Sequence, residues 1–429
     1  MEPGASAWAR WRAWLWPQDG GRGAIPALDG LRALAALSVV SYHVTATAGI
    51  KTVIAGHDLT WMYFYGQSGV DLFFVLSGFL LFLPYARAIL ANKLGHNTLT
   101  FYRRRALRIL PAYYVCLGAV ALFETLQGAG PTAANIGLHA LLLHDMWPAF
   151  NRTISGPFWT LAVEWQFYLV LPWIAWLVRR FSGGSAWRLA LGPLGVMAAA
   201  LGLRELSGQV EVHWYSLPHG WAPWITWARL ILIGTQGKYL EVFAVGMLCA
   251  VIYLVVVEKG GATSPQPLSS QERGLRRFAP YGRWIWWAGV ALLAAALASY
   301  LALAPIVYVR RNEILAQWYL AINPGDAGII LGPLALGLSY GALLLGVLLG
   351  PGLLRRGFSW RPLRFIGLIS YSLYLWHETI ITTVYDWLPL PNSPQPLNGA
   401  VAFAIAALVA IPFAYLGYQF IERPFLKLR

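Results

Sequence analysis

Charge is scarce in this chain. Of its 429 residues only 12% are Asp, Glu, Lys or Arg, whereas 58% are apolar, and the mean hydropathy is +0.54. A water-soluble domain carries about twice that density of charge, so the soluble class is excluded. Acidic residues are the scarcer sign, 18 against 32 basic ones, for a net charge of +14. Cysteine is almost absent. Cys116 and Cys249 both lie in apolar runs, which implies no disulfide framework. The clean apolar core of a cleavable signal is missing from Met1–Asp19, where Trp8, Trp11 and Trp16 are interleaved with Arg10 and Arg12. That mixture suits a helix lying in the membrane interface. No fold-scale repeat is evident, which counts against transporters built from repeats.

Apolar runs are what the chain has in abundance, several of them near the roughly 20 residues a membrane helix needs. The expected fold is an all-α polytopic membrane protein of about ten transmembrane helices, near 28–48, 68–89, 107–126, 157–178, 187–205, 239–257, 284–304, 327–349, 365–387 and 399–420. Residues 1–26 form a cytoplasmic or interfacial segment and 27–429 one transmembrane domain. Within it, 258–283 is a Gly/Pro/Ser-rich cytoplasmic linker and 207–238 a Trp-rich outer loop. With that count, 24 Lys and Arg fall in one set of alternate loops and 7 in the other, with Arg32 inside the first helix. The asymmetry puts both termini in the cytoplasm. Because the basic residues are confined to short loops, their excess calls for no nucleic-acid partner; membrane lipid is the expected surroundings.

The stretch ALDGLRALAALSVVSYHV, residues 27–44, is apolar enough to cross a bilayer yet carries Arg32 and His43. Eleven residues is close to three helical turns, so the two share a face, about 16 Å apart along the axis. Ionisable groups inside a membrane helix are costly and mark function by default. From the same helical rise, His43 lies about 21 Å above Asp29, Glu164 about 10 Å below the outer start of its helix, and His377 about 20 Å above Arg364. All three fall in the outer third of the hydrocarbon. On the other side, FYRRRALRILP places Arg105 and Arg108 three residues apart, hence adjacent at a helix entrance. Two guanidinium forks suit phosphate, although a plain positive-inside anchor has the same composition. GQSGVDLFFVLSGF puts Asp71 near the outer boundary and Ser77 near midplane. Asp71 either orients a catalytic histidine or sits in the interface; Ser77 most simply bonds its own backbone.

The segments LDGLRALAALSVVSYH, GVDLFFVLSGFLL, FYRRRALRILPAYY, FWTLAVEWQFYLVLP, ISYSLYLWHE and FIERPF resemble, in order and spacing, the acyltransferase-3 family of integral-membrane acyltransferases. The family's Arg-x10-His pattern is met by Arg32 and His43, and its Arg-x-x-Arg by Arg105 and Arg108. Many members read VEEQFY where this chain has VEWQFY, so the first acid, Glu164, is kept and the second is Trp165. Some relatives carry an extracytoplasmic hydrolase-like domain; with the sequence running to Arg429, just after the tenth helix, none is expected here.

That resemblance implies an acyl-CoA-dependent O-acyltransferase of the bacterial inner membrane. It would move an acyl group, often acetyl, from cytoplasmic acyl-CoA to a hydroxyl of a glycan or of a lipid-linked or small-molecule acceptor, without a metal. The CoA phosphates would rest on Arg105 and Arg108, with Arg103, Arg104 and Arg32 nearby. His43 would be the general base and Glu164 would orient and charge-balance it. His377, with Tyr374 and Ser370 on the same face, would donate to the oxyanion or bind the acceptor. Direct transfer is favoured, as no activated Ser or Cys stands at that depth. The reading from another class is a proton-coupled transporter or exporter that uses His43, Glu164 and His377 as a relay.

Overall fold

The computed structural model describes residues 25–48, 65–93, 97–212, 238–258, 281–296, 332–387 and 398–428, with short pieces at 53–54, 57–58, 227–228, 230–232 and 234. The expected interfacial helix at the N-terminus, most of the 258–283 linker and most of the Trp-rich part of 207–238 lie outside the described residues. Within them the chain is helical apart from turns and one antiparallel pairing, Val53 with Asp58 and Ile54 with His57. The helices are α1 (Pro26–Ala48), α2 (Gly69–Leu90), α3 (Thr98–Leu126), α4 (Ala133–Ala140), α5 (Phe158–Ser182), α6 (Ala186–Val212), α7 (Leu240–Glu258), α8 (281–296), α9 (Gly332–Leu349), α10 (Gly352–Phe358), α11 (Arg361–Leu368), α12 (Ser370–Trp387) and α13 (Asn398–Gly417).

Every expected span therefore has a helix, but fewer have the apolarity of a crossing segment. Among the described residues, six helices are long and apolar enough: Gly66–Leu90, Thr98–Leu126, Phe158–Ser182, Ala186–Leu206, Leu240–Val257 and Val401–Leu426. A seventh candidate is the pair Pro333–Leu349 and Gly352–Phe358, bent by 108°. Neither α1 nor α12 qualifies, although both are helical throughout. The polar groups that single those two out chemically are what lower their hydropathy.

Local chemistry sets several ends. Asn97 caps α3, its side chain accepting from the Leu99 and Thr100 amides at 2.9 and 3.3 Å. α5 stops at Gly183, whose φ of 52° is the left-handed conformation that glycine adopts without strain. The single stretch expected over 365–387 is two helices, α11 and α12, meeting at Ile369. α13 runs on into a π-turn at Tyr418–Glu422 and a last turn at Arg423–Leu426.

Contacts divide the chain into two compact units, one of Met1–Gly69, Ala106–Cys116 and Leu353–Arg429, the other of Val70–Arg105 and Leu117–Gly352. In the first, α1 packs on α11, α12 and α13. Small residues permit that closeness: a Cβ on Gly30 would lie 2.0 Å from the Phe358 carbonyl oxygen, and one on Gly367 1.8 Å from that of Asp29. In the second unit α2 and α7 approach reciprocally. A Cβ on Gly78 would meet the Phe243 carbonyl at 2.1 Å, and one on Gly246 the Val75 carbonyl at 2.1 Å. Phe167 of α5 stacks on Phe243 at 4.0 Å between ring centroids.

Candidate active site

The first unit brings two of the three expected catalytic groups together. His43, near the end of α1, and His377, on α12, have ring centroids 4.7 Å apart at 74°. The His377 Nε2 lies 3.1 Å from the His43 Nδ1. The His377 Nδ1 is 2.7 Å from the Tyr374 carbonyl, and the His43 Nδ1 is 3.0 Å from the Val39 carbonyl. These partners assign the tautomers. A carbonyl only accepts, so in the neutral pair His377 carries its proton on Nδ1 and presents a lone pair at Nε2. His43 Nδ1–H then donates toward that lone pair and toward Val39, which leaves the lone pair of His43 on Nε2. That nitrogen faces the Glu378 carboxylate, with Oε1 at 3.9 Å. His377 is fully buried, whereas the His43 side chain is 16% exposed.

α12 is held to the adjoining stretch of α3 by two side-chain bonds. Tyr371 Oη donates to the Ile109 carbonyl at 2.8 Å, and Cys116 Sγ to the Leu375 carbonyl at 3.5 Å. Ser370 and Tyr374 are buried on α12, and the Tyr374 carbonyl is the group that fixes His377. Tyr371 lies beneath Arg108, whose guanidinium carbon is 5.8 Å from the ring centroid. Arg108 Nη1 is 3.3 Å from Glu422 Oε2. At the start of α1, Asp29 bridges two cations: its carboxylate is 3.7 Å from Arg32 Nη1 and 3.7 Å from Arg364 Nε.

The remaining expected residues belong to the second unit. Glu164 on α5 accepts from Ser77 and from Tyr168, both at 2.6 Å and both on Oε1. Ser77 thus bonds a carboxylate rather than its own backbone. Two donors on one oxygen fix the orientation of the carboxylate and leave its other oxygen to a further partner. Asp71 is buried on α2 with Glu241 and Arg204 as charged neighbours, not a histidine. Arg103 and Arg104 are exposed on α3, and the Arg105 Nε is buried without a hydrogen-bond partner among the described residues. A buried donor left in that state is what an anionic ligand satisfies. Gln166, next to the position where VEWQFY departs from VEEQFY, donates to Asp145 at 2.7 Å and accepts from Lys238, which also pairs with Asp145. Close by, His139 and His144 stack with centroids 3.8 Å apart at 5°. Burial holds the His144 imidazole down at about 3, with His139 adding to the effect, and keeps it neutral.

Sequence reasoning passes over Glu378 and Glu422, although both stand in quoted motifs, LWHE and FIERPF. The usable signal is an acid inside an apolar helix. Among the described residues, no three His, Cys, Asp or Glu side chains group as a metal site would require.

A family profile described as "Acyltransferase domain" matches residues 25–419. Over 424 residues the chain is 25% identical to the peptidoglycan O-acetyltransferase OatA of Listeria monocytogenes, covering 94% of this chain and 56% of that protein. Over 420 residues it is 25% identical to the O-acetyltransferase OatA of Staphylococcus aureus, covering 94% and 57%. The chain thus spans about half the length of the curated relatives it matches. No solved structure matches it.

Proposed function

The chain belongs to the acyltransferase-3 family, and from that premise we propose that it transfers an acyl group, acetyl by analogy with its relatives, from cytoplasmic acyl-CoA to a hydroxyl of a cell-envelope glycan. The relatives' names put peptidoglycan first among acceptors. We place the protein in the bacterial inner membrane with ten spans and both termini inside, on the strength of the 24-to-7 charge split.

The observation that carries the reading is the His43–His377 couple. With its Nδ1 proton directed at His377 and Val39, His43 has its basic lone pair on Nε2. That nitrogen takes the proton of the acceptor hydroxyl as its oxygen attacks the thioester carbonyl. The C–S bond then breaks, and the CoA thiolate recovers the proton from the imidazolium. The products are the ester and CoA–SH, with no acyl-enzyme. Glu378 faces a lone pair before the reaction and an N–H⁺ during it. Its attraction therefore develops with the transition state, which makes it catalytic rather than merely binding. His377 acts by fixing the base, since both its nitrogens are engaged, and the oxyanion role expected for it passes elsewhere.

For the donor, the phosphates of CoA would meet Arg105 and Arg108, with the exposed Arg103 and Arg104, and Arg32, as further candidate cations. The unbonded Arg105 Nε supports that assignment. Glu164, fixed by Ser77 and Tyr168, stays a candidate acceptor for a substrate hydroxyl.

The test is acyl transfer by purified His43→Ala protein alongside its affinity for acetyl-CoA. Loss of a general base costs about 10²–10⁴-fold in rate and should leave donor binding in place. Near-normal turnover would remove His43 as the base; lost CoA binding would make it part of a donor site.

A further inference from the structure

Among the described residues of the first unit, an enclosed charge cluster surrounds a residue that the proposed mechanism does not use. The Glu422 side chain is fully buried, at the end of the π-turn that succeeds α13. A buried carboxylate is tolerated only when paired and hydrogen-bonded, and both requirements are met. Its Oε2 is 3.3 Å from Arg108 Nη1, and its Oε1 accepts from Ser372 Oγ of α12. The Arg108 side chain is 21% exposed, so it is not enclosed to the same degree as its partner. Tyr371, beside Ser372, lies under the same guanidinium. The extra residue of a π-turn rotates the succeeding side chains around the helix axis, and such turns recur at functional sites.

We propose that Glu422 is a positioning residue for the donor site: it clamps one edge of Arg108 so that the opposite edge of the fork is aligned for a CoA phosphate, and Ser372 ties that clamp to the helix bearing His377 and Glu378. This rests on the reading that Arg108 binds the donor phosphates. A guanidinium has five N–H donors in a fixed plane, enough to serve an internal carboxylate and an external phosphate together. The cost of orienting it is met on folding rather than on binding.

The experiment measures steady-state kinetics with acetyl-CoA for the full chain and for Glu422→Gln, Arg108→Ala and the double variant, with thermal unfolding as a check on folding. Glutamine keeps the shape and an acceptor for Ser372 but removes the charge. It should raise KM for acetyl-CoA about tenfold with kcat within about twofold, the pattern of lost uniform binding. Glu422→Asp should recover part of the loss. In the Arg108→Ala background the Glu422→Gln effect should vanish, because Glu422 acts through that side chain. An unchanged KM in a folded Glu422→Gln protein, with Arg108→Ala impaired, overturns the positioning role alone. Additive losses overturn it too. An unchanged KM in Arg108→Ala overturns the donor-phosphate reading, and the proposal with it. If Glu422→Gln fails to accumulate, Ser372→Ala removes only the tie to α12. A KM rise of about threefold then supports the proposal, and no rise refutes it.

Discussion

Replacing Glu378 by Gln tests how much of the proposed rate enhancement comes from one carboxylate. The perturbation is isosteric and removes only charge. The His43 Nε2 to Glu378 Oε1 separation is 3.9 Å, with side-chain exposures of 16% and 25%. At an effective dielectric of about 20 the full Coulomb attraction to an imidazolium at that distance is roughly 4 kcal/mol. Partial solvation and the dipole that Gln still offers reduce the difference to about 1–2 kcal/mol. Since about 1.4 kcal/mol is tenfold in rate, kcat should fall by about 5- to 30-fold. KM for acetyl-CoA should hardly move, because the neutral imidazole of the resting site gains little from the acid. The assay is acyl transfer by purified protein at saturating donor, in the wild-type and His43→Ala backgrounds. In the second background the Glu378→Gln effect should disappear. An equal loss in both would show that Glu378 acts on something other than His43 and would refute the reasoning.

Acid should destabilise the second unit through His144. Its folded value of about 3 lies below the ordinary 6.5, so the unfolded chain binds the extra proton. Stability is then complete above about pH 6.5 and falls by up to about 1.4 kcal/mol per pH unit toward pH 3. Thermal unfolding between pH 7 and 4 should show a shallower slope in His144→Phe, and an identical slope would discount the histidine. Gly367→Ala should cost about 1–3 kcal/mol or more, because its methyl would sit 1.8 Å from the Asp29 carbonyl oxygen, whereas Gly118→Ala meets nothing within 4 Å and should be silent; matching melting temperatures for the two would contradict the close α1–α11 packing. Reporter fusions within 263–271 should read cytoplasm and those within 390–398 the outer side, and a reversal at either loop would break the ten-span topology.

The helices are legible because membrane helices announce themselves by composition, yet their edges are not. Hydropathy starts α3 at residue 107, whereas the helix begins at Thr98, as its first turns are the polar LTFYRRR and the signal there is the Asn97 cap. α11 and α12 read as one because the apolar run continues across Ile369, and nothing in hydropathy reports a break in backbone direction. His43 and His377 can be picked out singly by their cost in lipid. Their pairing cannot, since 334 positions separate them and only tertiary packing decides which faces meet. Glu378 is hidden for a related reason: an acid next to a histidine in sequence points about 100° away from it around a helix, so adjacency in the chain says nothing of its facing His43.

The carbonyls of Tyr374 and Val39 give the histidine couple a direction. Both anchor N–H groups, so reversing either tautomer would set a lone pair against a carbonyl oxygen. A proton collected at the His43 Nε2 must leave by the same nitrogen. With His43 as the proposed base, the ring would have no reason to turn over between catalytic cycles, and the site would return to its starting state once the departing thiolate took up the proton. Enzymes whose base loads on one nitrogen and unloads from the other must wait for rotation or for a solvent relay. On the proposed reading each round would begin without that delay, which would leave exchange of spent CoA for fresh donor as the natural pacing event.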